Sequence, residues 1–398
     1  MQTNDSTMQP AQPTKPRAWE EALFGMRTAE LGKVVPGVLL ALGIAIGASF
    51  LADALGAAVL RFQGLDPAGR GSPISAISVA VVLGLILANV VDLPKIFGAG
   101  LGFSVKKILR LGIILVGIKL SVIDVLQVGA IGIPIVVALV LFALAATLWI
   151  AKRAGLSNQL GSLAAASTAI CGITATVAIA PSIEADDKEV AYTVANVTLF
   201  GLFGMLAYPY LAHFLFGDAS SSAGLFLGTA IHDTSQVMGA ALSYKEVFAD
   251  ERAMQVATVA KLTRNALLVA VVPFLAFLHA RRAGHAGKKV PLAKLFPVFV
   301  LGFLALSLVR TLGDVGLQGG GLALGAWDAA SWKSMAKFIG EKSATVALGT
   351  ALAAVGLTTR LSVFKKLGLK PFFVGLSAAL IVGVAALALA ALAGPFVG

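Results

Sequence analysis

The sequence has few charged residues. Only 13% of its 398 residues are Asp, Glu, Lys or Arg, about half the fraction found in soluble domains, whereas 58% are hydrophobic and the mean hydropathy is +0.90. This composition excludes an ordinary soluble domain. Apolar windows of about 20 residues, enough to cross a hydrocarbon core about 30 Å thick, recur along nearly the whole chain. The sequence therefore predicts an all-α polytopic membrane protein in a lipid bilayer.

Cysteine is nearly absent as well. Cys171 is the only one, which excludes an internal disulfide and a cysteine-rich metal site. The sequence also lacks the metalloprotease motif H-E-x-x-H, the phosphate-binding motif G-x-x-x-x-G-K-[ST] and the nucleophile motif G-x-S-x-G. We therefore expect no metal, no cofactor and no enzyme. A membrane-embedded enzyme that uses His232 and Asp233 as a base pair is the alternative from a different class.

The basic residues give the chain a net charge of +11 and fall in short connections between apolar runs. In a soluble chain this charge would suggest nucleic acid, but here it follows the positive-inside bias, so we expect no nucleic-acid partner. The apolar runs predict about eleven transmembrane helices. These lie at about 33–58, 73–93, 102–122, 130–151, 158–181, 190–216, 223–243, 255–280, 291–312, 335–358 and 370–396.

The distribution of Lys and Arg predicts the orientation. Residues 1–32 form a polar tail with a short amphipathic helix near Trp19–Met26, and residues 33–398 form the transmembrane domain. If all eleven segments cross, the tail is cytoplasmic and the C-terminus lies outside. The acidic stretch Glu184–Glu189 then lies outside. One connection breaks the pattern, because the turn near Asp218 would lie inside and has no basic residue.

Two internal similarities indicate repeats. Lys119–Leu126 matches Arg360–Leu367, and the two spans that carry them, the third and the tenth, run in opposite directions if all segments cross. Matching spans that run in opposite directions are expected of an inverted-topology repeat, which is common in secondary transporters. A second match joins Ser167-Thr-Ala-Ile-Cys-Gly172 to Gly228-Thr-Ala-Ile-His-Asp233. Those two spans would run the same way, so either one of them is re-entrant or the match is due to chance.

Small and hydroxylated residues dominate the run 162–181, which contains no Phe. One interpretation is a tightly packed interface helix. The other is a helix broken at a glycine, whose free N–H groups and positive dipole end face an anion in mid-membrane. The candidate anion-binding residues in this run are Ser167, Thr168, Cys171, Gly172, Thr174 and Thr176.

Five polar residues, His232 to Gln236, stand side by side in the apolar run 223–243. An Asp at the bilayer centre costs roughly 2.5–3.5 kcal/mol, so it must face a partner or water. On a continuous helix His232 and Asp233 would point about 100° apart, whereas an unwound segment would let both reach one cavity. We predict that they bind the coupling ion, and that the substrate contacts Thr229, Ser235 and Gln236. The alternative is a loop at the membrane surface.

Lys261 and Arg264 form a third polar group in an otherwise apolar span. They are three residues apart and share a helix face, and no acid lies in their span. One interpretation is that both snorkel to the interface. If they point inward, they supply positive charge that favours an anion, with Asp233 as counter-ion. Asn196 occupies the position of Lys261 in the second similarity and is a further candidate for ion coupling.

Three motifs stand out together: Ser167-Thr-Ala-Ile-Cys-Gly172, Ala230-Ile-His-Asp-Thr-Ser-Gln-Val237 and Val259-Ala-Lys-Leu-Thr-Arg264. They are similar to the runs T-S-I-C-G-x-S-A, S-I-H-E-V-A-Q-V and V-K-L-T-R of the YeiH-type bacterial membrane proteins, a family named for sulfate export. The hydrophobic layout resembles that family from residue 33 onward. Two departures stand in the second motif, where Asp233 replaces Glu and Thr234-Ser235 replace Val-Ala.

The resemblance implies a multi-pass secondary transporter of the bacterial inner membrane with inverted repeats and crossing broken helices. It implies a fold related to bile-acid/sodium symporters and sodium/proton antiporters. We therefore expect export of a small anion, such as sulfate, sulfite or an organosulfonate, coupled to protons or sodium. The alternative is a sodium/proton antiporter in which Asp233 binds the ion and Lys261 is its partner. The sequence leaves a homodimer open.

Overall fold

The computed structural model describes Glu20 and residues 26–68, 70–283, 295–362 and 369–397. These residues form helices, and their one β-bridge is isolated, so the all-α class is confirmed. The predicted tail helix near Trp19–Met26 lies largely outside the described residues. In chain order the helices are α1 (Val35–Phe62), α2 (Ala76–Val90), α3 (residues 98–116), α4 (Val122–Arg153), α5 (Asn158–Ala169), α6 (Ile173–Ile179), α7 (Asp187–Phe216), α8 (Ser220–Ala230), α9 (Thr234–Phe248), α10 (Glu251–Ala266), α11 (Leu268–Ala283), α12 (Phe299–Gln318), α13 (Ala329–Thr358) and α14 (Leu369–Ala393).

Seven helical stretches among the described residues are long and apolar enough to cross a membrane. The chain is therefore a multi-pass membrane protein. The seven stretches are α1, α4, α7, the pair α10 and α11, α12, α13, and α14 with its terminal turn. The shorter helices α2 and α3 pack beside them, and α3 and α13 each contain a π-helical turn, at Ser104–Ile108 and Phe338–Ser343.

The predicted span 158–181 folds back on itself as a helical hairpin, which we call hairpin A. It consists of α5, a tip at Ile170–Gly172, and α6. Ser157, which caps the start of α5, donates a hydrogen bond from Oγ to Glu189 in the first turn of α7. The chain therefore enters and leaves hairpin A at the same level. At 1.5 Å per residue the 12 residues of α5 extend about 18 Å, roughly half of a bilayer core.

The predicted span 223–243 forms a second helical hairpin, hairpin B, from α8, a tip at Ile231–Asp233, and α9. Its two ends also lie together, because Tyr244 Oη donates to the Gly217 carbonyl over 3.4 Å. The ring of Phe248 stacks on His213, near the end of α7, with centroids 3.9 Å apart. Hairpin B therefore begins and ends near the C-terminal end of α7, whereas hairpin A begins and ends near the N-terminal end of α7.

The two hairpins correct the expectation of eleven full crossings. Since 158–181 turns back, Glu189 lies at the same end of the molecule as Ser157 and the preceding Arg153, not across from them. The acidic stretch Glu184–Glu189 thus changes sides relative to the prediction. The turn near Asp218 also changes sides, which removes the exception in the charge pattern. Hydropathy could not reveal this, because a half-spanning hairpin is as apolar as a crossing helix.

The two hairpins and α10 form one helical group. A second helical group packs beside them. Its own hydrophobic core joins α1, α2, the start of α3 and the end of α13 through Ala41, Ala80, Leu101 and Ala354. α2 and α13 approach each other closely at Gly84 and Gly356, where an added Cβ would lie 2.7 Å and 2.3 Å from a carbonyl oxygen of the opposite helix. Such small residues are what allows membrane helices to pack backbone to backbone.

Polar contacts connect the second group to the base of hairpin B. Glu251 at the start of α10 forms ion pairs with Lys119, which follows α3, at 2.7 Å and with Lys245 of α9 at 2.8 Å. Ser75, which caps α2, donates to Glu246 of α9 over 2.7 Å. We call these contacts the latch. It joins the two helical groups at the end of the molecule at which hairpin B enters.

Candidate functional site

The tips of the two hairpins meet halfway along α7. A Cβ atom at Gly172, in the tip of hairpin A, would lie 2.8 Å from Val197 Cγ1 and 3.1 Å from the Cα of Asp233, in the tip of hairpin B. Ile231 of the same tip packs near Gly204. The hairpins therefore approach from opposite ends of the molecule and touch at its centre.

Local chemistry explains why both helices stop where they do. Gly172 has φ +64°, a backbone conformation that side chains with a Cβ rarely adopt, so the turn of hairpin A requires glycine there. In hairpin B the Asp233 carboxylate accepts hydrogen bonds from the backbone N–H and the hydroxyl of Ser235. Asp233 is thus the N-cap residue at which α9 starts. The matched Thr-Ala-Ile sequences of the two motifs occupy the same position, at the end of the first helix of each hairpin.

Lys261 and Arg264 of α10 bind the carbonyl ends of both hairpins. Lys261 Nζ donates to Ile170 O over 2.9 Å, and also to Ile231 O and His232 O. Arg264 donates to carbonyls in both tips as well. Its acceptors are Thr168 O at 2.8 Å, Ala169 O at 2.8 and 3.1 Å, Thr229 O, and Ile231 O at 3.2 Å.

These contacts settle how the two basic residues are placed. Both side chains are 0% exposed, so neither snorkels to the interface. Their charges are stabilised by the negative ends of α5 and α8. Asp233 lies nearby but is bound by Ser235, and the described ion pairs do not join it to Lys261. The formal charges of Lys261, Arg264 and Asp233, the buried side chains at the tips, sum to +1.

A small cleft lies against the tips, between α5, α7 and α14. Leu156, at the base of hairpin A, lines one part of it and His232, in the tip of hairpin B, another. The cleft therefore leads from the end of the molecule where hairpin A enters toward the centre. Its polar lining consists of Ser167, Thr168, Thr193, Asn196 and His232.

Two side chains of the cleft each have one buried atom without a hydrogen-bond partner in the described structure, Asn196 Oδ1 and His232 Nδ1. An unpaired buried polar atom costs about 1–3 kcal/mol, and native proteins contain few of them. Asn196 is 9% exposed and His232 is 3% exposed, so bulk water does not compensate either one. Neither atom therefore has a compensating partner in the described structure.

The structure separates the predicted site residues into two sets. Ser167, Thr168, Asn196 and His232 line the cleft, and Gly172, Asp233, Lys261 and Arg264 form the contact between the tips. The others have different surroundings. Thr176 donates to the backbone of Gly172, Thr229 to Leu225, Ser235 to Asp233 and Gln236 to Thr198, while Cys171 is buried in the core and Thr174 is exposed away from the cleft.

The sequence did not indicate the contribution of α14. Pro371, Val374 and Gly375 of this helix line the cleft, and Pro371 O accepts a hydrogen bond from Asn196 Nδ2 over 3.1 Å. Residues 371–396 are apolar apart from Ser377, and a backbone carbonyl leaves no signal in sequence. The proline in the first turn of α14 is the one feature that sets this segment apart.

The chain matches known proteins along most of its length. The family described as conserved hypothetical protein 698 matches residues 36–375. The chain is 32% identical over 368 residues to a UPF0324 membrane protein of Nitratidesulfovibrio vulgaris, covering 90% of this chain and 92% of that protein. It is 30% identical over 340 residues to a UPF0324 membrane protein of Bacillus cereus (85% and 89%), and 34% over 267 residues to one of Bordetella bronchiseptica (65% and 80%). No solved structure matches the chain.

Proposed function

Since this chain belongs to the conserved hypothetical protein 698 family of membrane proteins, we propose that it is a secondary transporter that exports a small anion across the bacterial inner membrane. The observation that carries the proposal is the meeting of two opposed hairpin tips beside a cleft that contains polar side chains. Non-helical backbone at membrane depth is tolerated only where it is buried or lines a cavity. Secondary transporters bind substrates and ions at such breaks.

The charge of the site supports an anion. Lys261 and Arg264 outnumber Asp233, so the formal charge of the centre is +1. The Thr168 hydroxyl and the His232 imidazole line the cleft beside that charge and can donate hydrogen bonds, whereas the Ser167 hydroxyl already donates to Ala164 O. Sulfate, sulfite and organosulfonates are the anions that we propose as substrates.

The proposed topology has nine crossings and two re-entrant hairpins. The N-terminus is cytoplasmic, the C-terminus lies outside, and hairpin A enters from the cytoplasm, where Arg153 lies. Two observations support an inverted repeat. The hairpins enter from opposite ends, and α3 and α13, which run antiparallel with Gly112 against Leu348 and Gly340 against Ile118, each contain a π turn.

The latch supports alternating access. It joins the two helical groups at the outer end of the proposed topology, through Glu251 and Glu246, while the cleft leads toward the opposite end. This arrangement corresponds to an inward-open state. Outward opening requires the latch contacts to break. We assign the coupling of protons or sodium to His232 and Asp233, because both lie in the tip that faces the cleft and hairpin A.

The contacts favour an anion transporter over the two alternatives. A sodium/proton antiporter of the predicted kind needs Asp233 and Lys261 as partners, but Asp233 is held by Ser235 and Lys261 by backbone carbonyls. An enzyme with a His232–Asp233 base pair needs the two side chains together. His232 lines the cleft, whereas Asp233 caps α9. We therefore propose transport rather than catalysis.

Reconstituted transport tests the proposal. Proteoliposomes are loaded with labelled sulfate, sulfite or 2-aminoethanesulfonate, and fluxes are measured under imposed proton and sodium gradients. We expect gradient-driven flux of at least one anion, lost in His232→Ala and Asp233→Asn. His279→Ala, in α11 away from the cleft, is the matched control and keeps the wild-type flux. Sodium-driven pH change without anion flux would refute anion export and support the antiporter.

A further inference from the structure

Asn196 lines the cleft, and the orientation of its amide is fixed. Nδ2 donates to Pro371 O over 3.1 Å, so the amide cannot be flipped without losing that bond. The atom left without a partner in the described structure is therefore Oδ1, which can only accept. The oxygens of sulfate are also acceptors. A bare oxyanion leaves Asn196 Oδ1 unpaired and places two acceptors against each other.

The rest of the cleft is apolar. Leu160, Ala164, Val197, Phe200 and Val374 form its walls beside the polar residues. Sulfate would lose its hydration against these walls and gain nothing from them, because burial is favourable only for apolar surface. A ligand with a short hydrocarbon segment gains free energy there. The walls and the free acceptor thus point to the same kind of molecule.

We propose that the substrate is a small organic anion that carries its own hydrogen-bond donor, such as an amino- or hydroxyalkanesulfonate, and that Asn196 Oδ1 recognises this donor. The proposal rests on the anion transport proposed above and narrows its substrate class. The anionic group lies toward the positively charged tips. The ammonium or hydroxyl group lies at Asn196, and the hydrocarbon segment between them contacts Val197 and Phe200.

The spacing is compatible with a small molecule. Val197 packs against Gly172 in the tip of hairpin A, and Asn196 is its neighbour in α7. Asn196 therefore lies one residue along α7 from the contact between the tips, and we propose a short spacer between the anionic group and the donor.

Binding by the wild-type protein tests the proposal without any mutation. Four anions are compared by calorimetry on the purified protein: 2-aminoethanesulfonate, 2-hydroxyethanesulfonate, ethanesulfonate and sulfate. Ethanesulfonate matches the first two in length and charge but has no donor. We expect it to bind about tenfold or more weakly than either, because it leaves a buried acceptor unpaired, and we expect sulfate to bind no more tightly than ethanesulfonate.

A variant series assigns the effect to Asn196. Asn196→Leu removes the acceptor, so the preference for the donor-bearing anions over ethanesulfonate should fall to less than about twofold. Asn196→Asp keeps an acceptor at this position and should retain a preference for 2-aminoethanesulfonate. Asn89→Leu, at the end of α2 and outside the cleft, is the matched control and should leave all four affinities unchanged.

The outcomes separate this inference from the function on which it rests. Equal binding of ethanesulfonate and 2-hydroxyethanesulfonate to the wild-type protein would overturn the inference and leave anion transport standing. The same holds if Asn196→Leu binds all four anions with the wild-type preference. If none of the four anions binds the folded wild-type protein, the anion site itself is refuted, and the proposed function with it.

Discussion

At the scale of single residues, the most consequential side chain is Arg264. It is completely buried and donates to the carbonyls of Thr168, Ala169, Thr229 and Ile231, which belong to two different hairpins. A buried guanidinium is stable only when its donors are paired, and the broken helices leave carbonyls that need donors. The guanidinium donors and the free carbonyls pair with each other, so Arg264 and the helix breaks depend on each other.

Replacing Arg264 therefore tests the structural role of the tip contact. Arg264→Gln cannot reach all four carbonyls, and each orphaned acceptor costs about 1–3 kcal/mol. We expect the unfolding free energy to fall by at least about 3 kcal/mol and the melting temperature in detergent to drop accordingly. Arg281→Gln, at the exposed end of α11, removes the same charge and should change stability by less than about 0.5 kcal/mol. Similar melting temperatures for the two variants would contradict this role.

The sequence predicted that Lys261 and Arg264 matter, because two basic residues on one helix face in an apolar span demand a buried partner or an interface. It could not predict the partners. Backbone carbonyls are present at every residue, so the choice of Ile170 or Thr229 as ligand carries no signal in side-chain chemistry. The free acceptor of Asn196 was equally hidden, since it results from the single bond to Pro371.

At the scale of elements, the tip of hairpin A depends on Gly172. Two different effects oppose a side chain there. The positive φ of 64° strains any residue with a Cβ by about 1–2 kcal/mol, and the added atom would crowd Val197 and Asp233. Gly155, between α4 and α5, has a similar φ of 69° but no neighbour within 4 Å of its position for a Cβ. A substitution at Gly155 therefore tests backbone strain alone, whereas a substitution at Gly172 tests strain and crowding together.

We expect Gly172→Ala to lower the unfolding free energy by about 2–4 kcal/mol and to abolish anion flux, because strain and overpacking both act and the tips are forced apart. Gly155→Ala should cost about 1–2 kcal/mol, the strain alone, and keep its flux. Thermal unfolding in detergent and flux in proteoliposomes measure both quantities. Equal effects of the two substitutions would mean that close contact between the tips is not needed.

The breaks themselves were predictable, and the change of direction was not. Gly172, in a run of small residues, indicated one interrupted helix. The polar group His232–Gln236, in another apolar run, indicated a second. A helix that resumes beyond a break and a helix that turns back have the same composition and length. The choice between them is made by long-range contacts such as Ser157 with Glu189, which pair residues 32 positions apart.

At the scale of the whole molecule, the hairpins determine which connections face the cytoplasm. Eleven full crossings would place Asp187 outside and Ala219 inside, whereas two re-entrant hairpins reverse both. Asp187→Cys and Ala219→Cys, at exposed positions, therefore distinguish the two topologies. We expect an impermeant maleimide to label Ala219→Cys in intact cells and Asp187→Cys only after permeabilisation. The native Cys171 is buried and contributes little background. With a cytoplasmic N-terminus, the reverse labelling pattern would contradict the two re-entrant hairpins.

The sharing of Arg264 and Lys261 between the two tips also limits how the protein can move. Neither hairpin can swing away alone, because its departure would strand the guanidinium, the ammonium and the carbonyls of the hairpin left behind. The two hairpins and α10 are thus joined into one body by buried hydrogen bonds. In the proposed transport cycle, opening of one hairpin alone would break these bonds, whereas sliding of the whole body against the second helical group would keep them.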